Sequence, residues 1–101
     1  MNSGERKPGI DTRAIHAGQE PDAAFGSIAP PIYQTSTFAF PSPEAGAARF
    51  AGEDPGYIYT RIGNPTVERL EECVASLEGG SGALATATGM AAVSTVFLSL
   101  L

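Results

Sequence analysis

The sequence predicts an α/β architecture, and three observations carry that expectation. An amphipathic helix starts after Asn64, a short apolar run over 83–87 follows a glycine pair, and an apolar helix opens at Gly89. Helix, turn, strand, turn, helix is the alternation from which α/β layers are assembled. A long proline-rich stretch precedes it, well beyond the length of an ordinary connection. Such a stretch packs poorly on a domain this small, so it is expected to lie on a neighbouring subunit. The expected organisation is an extended N-terminal arm over 1–60 and, over 61–101, the beginning of a larger domain.

In chain order, residues 1–11 are polar, carry Gly4, Pro8 and Gly9, and read as a mobile tail. Residues 12–17 suit a short helical turn and 18–29 a loop. Pro30-Pro31 fixes an extended backbone. Ile32-Tyr33-Gln34-Thr35-Ser36-Thr37-Phe38 then offers strand-forming residues in partial alternation. A short helix is expected over 44–50, with Ser42 as N-cap and Pro43 at the first helical position. A turn over 52–56 follows. After Asn64 the signals are strongest: its side chain can accept from an orphan first-turn amide, and Pro65 enters the helix with its φ preset. Val67, Leu70, Val74 and Leu77 recur at spacings of three, four and three, which makes one apolar stripe. Gly79-Gly80 ends that helix, because glycine adopts the left-handed cap conformation at little cost. Residues 83–87 read as a short buried strand, and Gly89 opens a helix running toward Leu101. No internal repeat is present.

Composition narrows the function. With 101 residues the chain has room for one small domain at most. Hydrophobic residues make up 43% and charged residues 17%, which suits a buried core and excludes wholesale disorder. Six basic against eleven acidic residues leave a net charge of −5, which disfavours nucleic acid as a partner. Cys73 is the one cysteine, so no internal disulfide forms, and a reducing, cytoplasmic setting fits. Residues 1–10 lack the apolar centre of a secretory signal. The uncharged run over 81–101 approaches the length of a bilayer span. Its first half is mostly Ala, Thr and Gly, however, and no basic residue flanks it, so a buried helix is preferred and no membrane partner is expected. The run stops within its apolar pattern, with neither a capping glycine nor a polar tail. The sequence therefore reads as the front piece of a longer protein.

Two constellations have chemical potential. Thr86-Ala87-Thr88-Gly89-Met90-Ala91-Ala92 reads as a strand end, a glycine and a helix start. Free amides and the positive end of the helix dipole suit a phosphate there, and Gly89 admits close approach. A plain strand-to-helix turn explains the same residues. The second is Tyr57-Ile58-Tyr59-Thr60-Arg61-Ile62-Gly63-Asn64-Pro65-Thr66. Arg61 offers a planar fork of donors. In an extended segment Tyr59, two residues away, faces the same side and adds a hydroxyl. A surface arginine beside a half-buried tyrosine is the simpler account. His16 and Cys73 are expected to be structural, the cysteine as a small packing residue, and Glu68, Glu71 and Glu72 to form a solvated helix face. No metal-ligand spacing is present.

Taken together, these segments resemble the fold-type I pyridoxal-phosphate (PLP) enzymes of cysteine and methionine metabolism. The matching stretches are Thr12-Arg13-Ala14-Ile15-His16-Ala17-Gly18, the run from Pro30 to Phe38, Tyr59-Thr60-Arg61-Ile62-Gly63-Asn64-Pro65-Thr66, Leu77-Glu78-Gly79-Gly80 and Thr88-Gly89-Met90-Ala91-Ala92. They cover most of 12–101 in the family's order. The resemblance implies pyridoxal 5'-phosphate as cofactor, a sulfur amino acid as substrate and an identical subunit as partner, in a homodimer or homotetramer. It implies that the Gly89 and Met90 amides hold the cofactor phosphate. It also implies that Tyr59 and Arg61 reach across the dimer to the neighbour's phosphate. Residues 61–101 become the start of the PLP-binding large domain.

The family's Schiff-base lysine, pyridine-nitrogen aspartate and ring-stacking tyrosine belong further along, so no catalytic residue is expected here and the piece alone is expected to be inactive. Lys7 is not assigned the lysine's role, and Thr88 stands where the family often has serine. Within the family, Phe50-Ala51-Gly52-Glu53, Val67 and Met90 lean toward the branch that eliminates thiol from methionine. The cystathionine enzymes and the O-acylhomoserine sulfhydrylases are the alternatives. Outside the enzyme class, a free-standing anion-binding or interaction module stays open.

Overall fold

The structure, a computed structural model, describes residues 7–101. The part of the expected tail over 1–6 lies outside the described residues. Among the described residues four helices follow in order: α1 (Ile10–His16), α2 (Pro43–Phe50), α3 (Pro65–Glu78) and α4 (Gly89–Leu100). The chain falls into two compact units. One is Gln19–Arg69, and the other joins the segment ending at Gly18 with Leu70–Leu101.

In the first unit, α2 forms where the capping signals place it. Ser42 Oγ accepts from the Ala45 amide at 3.1 Å and Pro43 occupies the first turn. Gly46 is buried because Phe40 lies against it. A Cβ at position 46 would stand 2.7 Å from Phe40 Cδ2, so any larger residue pushes the ring away. The Phe40 ring also meets Phe50 edge-on at 6.0 Å between centroids and carries the Arg49 guanidinium at 5.4 Å. Arg49 Nη1 in turn donates to the Tyr57 carbonyl at 3.0 Å. The aromatic corner thus fixes the chain entering the segment at 57–60.

The run over 32–38 is extended but does not become a strand. It shares a single antiparallel bridge, Thr37 with Tyr59. The Phe38 amide donates to the Ile58 carbonyl at 3.1 Å, and the Thr60 amide to the Ser36 carbonyl at 2.8 Å. The facing segment turns away after Tyr59, so the ladder has no length. Pro30 and Pro31 supply no amide to lengthen it from the other end.

In the second unit, α1 begins two residues earlier than the sequence suggests, and its entry residue Gly9 gives no side-chain cap. Arg13 Nη1 donates to the Ser76 carbonyl at 2.5 Å, which ties α1 to the last turns of α3. The Cys73 thiol points to the Arg13 carbonyl at 3.6 Å, in keeping with a packing role between these helices. α3 closes at its glycine pair. Gly79 sits at φ 68°, its amide donates to Ser76, and the Gly80 amide reaches the Ala75 carbonyl at 2.9 Å. This doubly bonded cap satisfies carbonyls that the helix end leaves over.

Residues 83–87 correct the expectation of a buried strand. They are extended, mostly exposed and in no ladder. A strand is stabilised by pairing and by burial of its faces, and nothing in the described chain provides either. α4 is uncharged and mostly apolar, and its large side chains stay exposed, Phe97 at 59% and Leu98 at 84%. Among the described residues no hydrophobic side chain is buried. The α/β expectation therefore holds for the helices and not for a sheet. No described helix is long and apolar enough to cross a membrane.

Candidate functional site

The turn that follows Tyr59 is the better built of the two phosphate candidates. The Ile62 and Gly63 amides both donate to the Tyr59 carbonyl, at 2.9 and 3.0 Å. Thr60 is held on two sides: its amide by Ser36 and its hydroxyl, a donor, by the Thr35 carbonyl. Arg61 therefore lies in a turn, not in the extended segment that alternation assumed. The two side chains are brought together by a different means. The Arg61 guanidinium carbon lies 5.4 Å from the Tyr59 ring centroid, in a cation–π contact. They face an open recess of about 540 Å³ between 33–36 and 59–61. The guanidinium is exposed and makes no ion pair among the described residues.

Asn64 anchors this turn. It is 3% exposed, the one buried polar side chain among the described residues. Its Oδ1 accepts from the Thr66 amide at 2.8 Å, which is the N-cap bond expected of α3. Its Nδ2 donates to the Tyr33 carbonyl at 2.9 Å and to Thr60 Oγ1 at 3.1 Å. Thr66 Oγ1 accepts from the Tyr33 amide at 2.9 Å. Asn64 and Thr66 thus grip the extended segment at Tyr33 from both its backbone groups. The capping role was legible in Asn-Pro; the grip was not, because its targets lie some thirty positions away in the chain.

The second candidate is the start of α4. Thr88 is the N-cap, and its Oγ1 accepts from the Ala91 amide at 3.0 Å. The amides of Gly89 and Met90 lie ahead of that bond and make no hydrogen bond among the described residues. The sequence marks Gly89 and Met90 but not the cap that leaves them available. A hydroxyl three residues before the capped amide was the available signal.

The remaining candidates are settled by their contacts. His16 is exposed in the last turn of α1. The acidic residues are not merely a solvated face. Glu68 accepts from the Tyr57 hydroxyl, Glu71 Oε2 accepts from the Ala85 amide at 2.8 Å, and Glu72 is also engaged. Two of them pin segments that have no ladder of their own. No cluster that could hold a metal ion occurs among the described residues.

The sequence profile of the Cys/Met metabolism PLP-dependent enzymes matches residues 11–101, and the chain is a member of that family. Among its relatives, the L-methionine gamma-lyase of Pseudomonas putida is 50% identical over 100% of this chain and 25% of its own length. The O-acetyl-L-homoserine sulfhydrylase of Corynebacterium glutamicum is 48% identical over 98% of this chain and 23% of its own. The crystal structure of metB from Corynebacterium glutamicum superposes with a TM-score of 0.80 at 45% identity, covering 93% of this chain and 23% of that one. The chain thus spans about a quarter of the length of these relatives. The fold they share is that of the trans-sulfuration enzymes, and the family is PLP-dependent.

The residues present suit such a cofactor's phosphate. A phosphate monoester is bound by charge-assisted donors. The unpaired guanidinium of Arg61 and the two unbonded amides at Gly89 and Met90 are donors of that kind, on two separate elements.

Proposed function

We propose that the chain is the N-terminal part of a PLP-dependent carbon–sulfur lyase, a methionine gamma-lyase that converts L-methionine to methanethiol, 2-oxobutanoate and ammonia. The observation that carries this reading is the Arg61 guanidinium, stacked on Tyr59 and without an acidic partner. In the proposed assembly Tyr59 and Arg61 of one subunit and the Gly89 and Met90 amides of its neighbour hold one phosphate between them. Residues 1–60 form the arm that brings the first pair across, and 61–101 begin the cofactor domain. Homodimers, alone or paired as tetramers, follow from a shared site.

Each group has a separable task. Arg61 supplies the charge that offsets the phosphate dianion. The Tyr59 hydroxyl donates to the same group, while its ring holds the guanidinium in the cation–π contact. The Gly89 and Met90 amides are fixed donors that need no side-chain ordering, and the dipole of α4 adds positive potential at its first turn. Thr88 keeps that turn wound by bonding Ala91. Anchored by its phosphate, the cofactor would supply an electron sink for the pair released when the substrate Cα loses its proton. Residues 1–101 contain no lysine but Lys7, outside every helix, so this part alone is proposed to be inactive.

The likeness to the O-acetyl-L-homoserine sulfhydrylase at 48% identity supports a second reading, in which the γ-substituent is replaced rather than lost. Cystathionine gamma-synthase activity belongs to the same alternative, whereas cystathionine gamma-lyase activity is a further one, an elimination from cystathionine. A panel of methionine and cystathionine alone, and of O-acetylhomoserine with methanethiol or cysteine as the incoming thiol, separates them in the full-length protein. Thiol and 2-oxo acid released together from methionine support the lyase. Thioether formation without 2-oxo acid overturns it.

A further inference from the structure

We infer that Asn64 is a positioning residue for the Tyr59–Arg61 phosphate grip, acting through the hydroxyl of Thr60. The inference rests on the reading of Arg61 as a phosphate ligand and goes beyond it, since Asn64 itself meets no ligand.

Three observations converge. Asn64 is 3% exposed, and a buried amide is costly unless its donors and acceptor are met. Its Oδ1 is used by the α3 cap, so the cap needs only half of the side chain. The other half, Nδ2, reaches back four residues to Thr60 Oγ1 at 3.1 Å and across to the Tyr33 carbonyl at 2.9 Å. Thr60 sits between Tyr59 and Arg61. Its hydroxyl accepts from Asn64 and donates to the Thr35 carbonyl, so its rotamer is fixed from both sides. The Ile62 and Gly63 amides on the Tyr59 carbonyl close the turn around Thr60. The side chains of Arg61 and Tyr59 are themselves partly or wholly exposed, and their mutual cation–π contact is what holds them. Their direction is set by the backbone beneath them, which Asn64 fixes together with Ser36 and Thr35.

The two halves of Asn64 can be separated by substitution. Asn64→Asp keeps an oxygen for the Thr66 amide, and aspartate caps helices as well as asparagine does. It has no hydrogen to give to Thr60 or Tyr33. Thr60→Val removes the hydroxyl while keeping the shape, and Thr60→Ser restores it. The test uses the full-length protein, stripped of cofactor and titrated with PLP and with pyridoxal, which lacks the phosphate.

Asn64→Asp and Thr60→Val are each expected to raise the PLP dissociation constant about tenfold. Pyridoxal binding should be unchanged, and Thr60→Ser should bind PLP as the parent does. Equal losses for PLP and pyridoxal, or no loss for either, overturn the inference. If Asn64→Asp does not fold, the Thr60 pair decides by the same criteria. Arg61→Ala is titrated alongside. Unchanged PLP affinity in that variant removes the phosphate grip itself, a failure distinct from loss at Arg61 without loss at Asn64.

Discussion

The turn over 59–63 and the first turn of α4 are supported in opposite ways. The first is closed by bonds from Ser36, Thr35 and Asn64, all within the unit Gln19–Arg69. The second rests on one hydroxyl, Thr88, and is flanked by an unpaired extended segment and an exposed apolar helix. Side-chain-to-backbone bonds are enough to shape a turn from nearby chain. A strand feeding a helix needs a sheet, and a mostly apolar helix needs covering neighbours. Among the described residues the first element has its partners, and the second has neither a sheet nor covering neighbours.

Substitutions in the full-length protein can break or sharpen this contrast. Arg61→Ala is expected to have the largest effect, costing about 1.5–3 kcal/mol of cofactor affinity, or roughly 10- to 150-fold in the PLP dissociation constant. Its unfolding midpoint in denaturant, measured on the apoprotein, should not move, because Arg61 supports nothing in its own turn. Gly79→Ala comes next. At φ 68° an added Cβ costs about 1–2 kcal/mol, read as a lower denaturant midpoint. Thr88→Ala should cost about 1 kcal/mol of stability with a parallel loss of cofactor affinity, and Thr88→Ser should restore both. A loss of affinity as large as that of Arg61→Ala would show the second turn to be no better supported by the whole subunit than by this segment. The smallest effect is expected at Phe25, 94% exposed in the unit Gln19–Arg69. Phe25→Ser should change subunit stability by less than about 0.5 kcal/mol.

The sequence was most readable where structure is decided by neighbours in the chain. Ser42 with Pro43, Asn64 with Pro65, and Gly79 with Gly80 each mark a helix boundary that the structure keeps, because a cap is a bond between residues two to five apart. Tyr59, Arg61 and Gly89 drew notice by residue chemistry, but local pattern favoured plainer accounts, and the assignment of Tyr59, Arg61, Gly89 and Met90 to a phosphate came from the resemblance. What was not readable depends on distance along the chain. The strand propensity of Ile32 and Val-free 83–87 could not tell whether partners exist. The carboxylates of Glu68 and Glu71 looked idle because Tyr57 and the Ala85 amide return to them only through folding. Arg61 was placed beside Tyr59 for the wrong reason: alternation in a strand was assumed, and a turn with ring stacking achieves it.

Asn64 precedes Pro65, whose ring nitrogen carries no hydrogen. Spontaneous deamidation of asparagine ordinarily runs through a succinimide, formed when the next residue's backbone nitrogen gives up its proton and attacks the side-chain amide carbon. A prolyl nitrogen cannot close that ring. The proline that starts α3 therefore also makes the adjoining amide durable, and an ageing enzyme does not drift by itself toward the aspartate form.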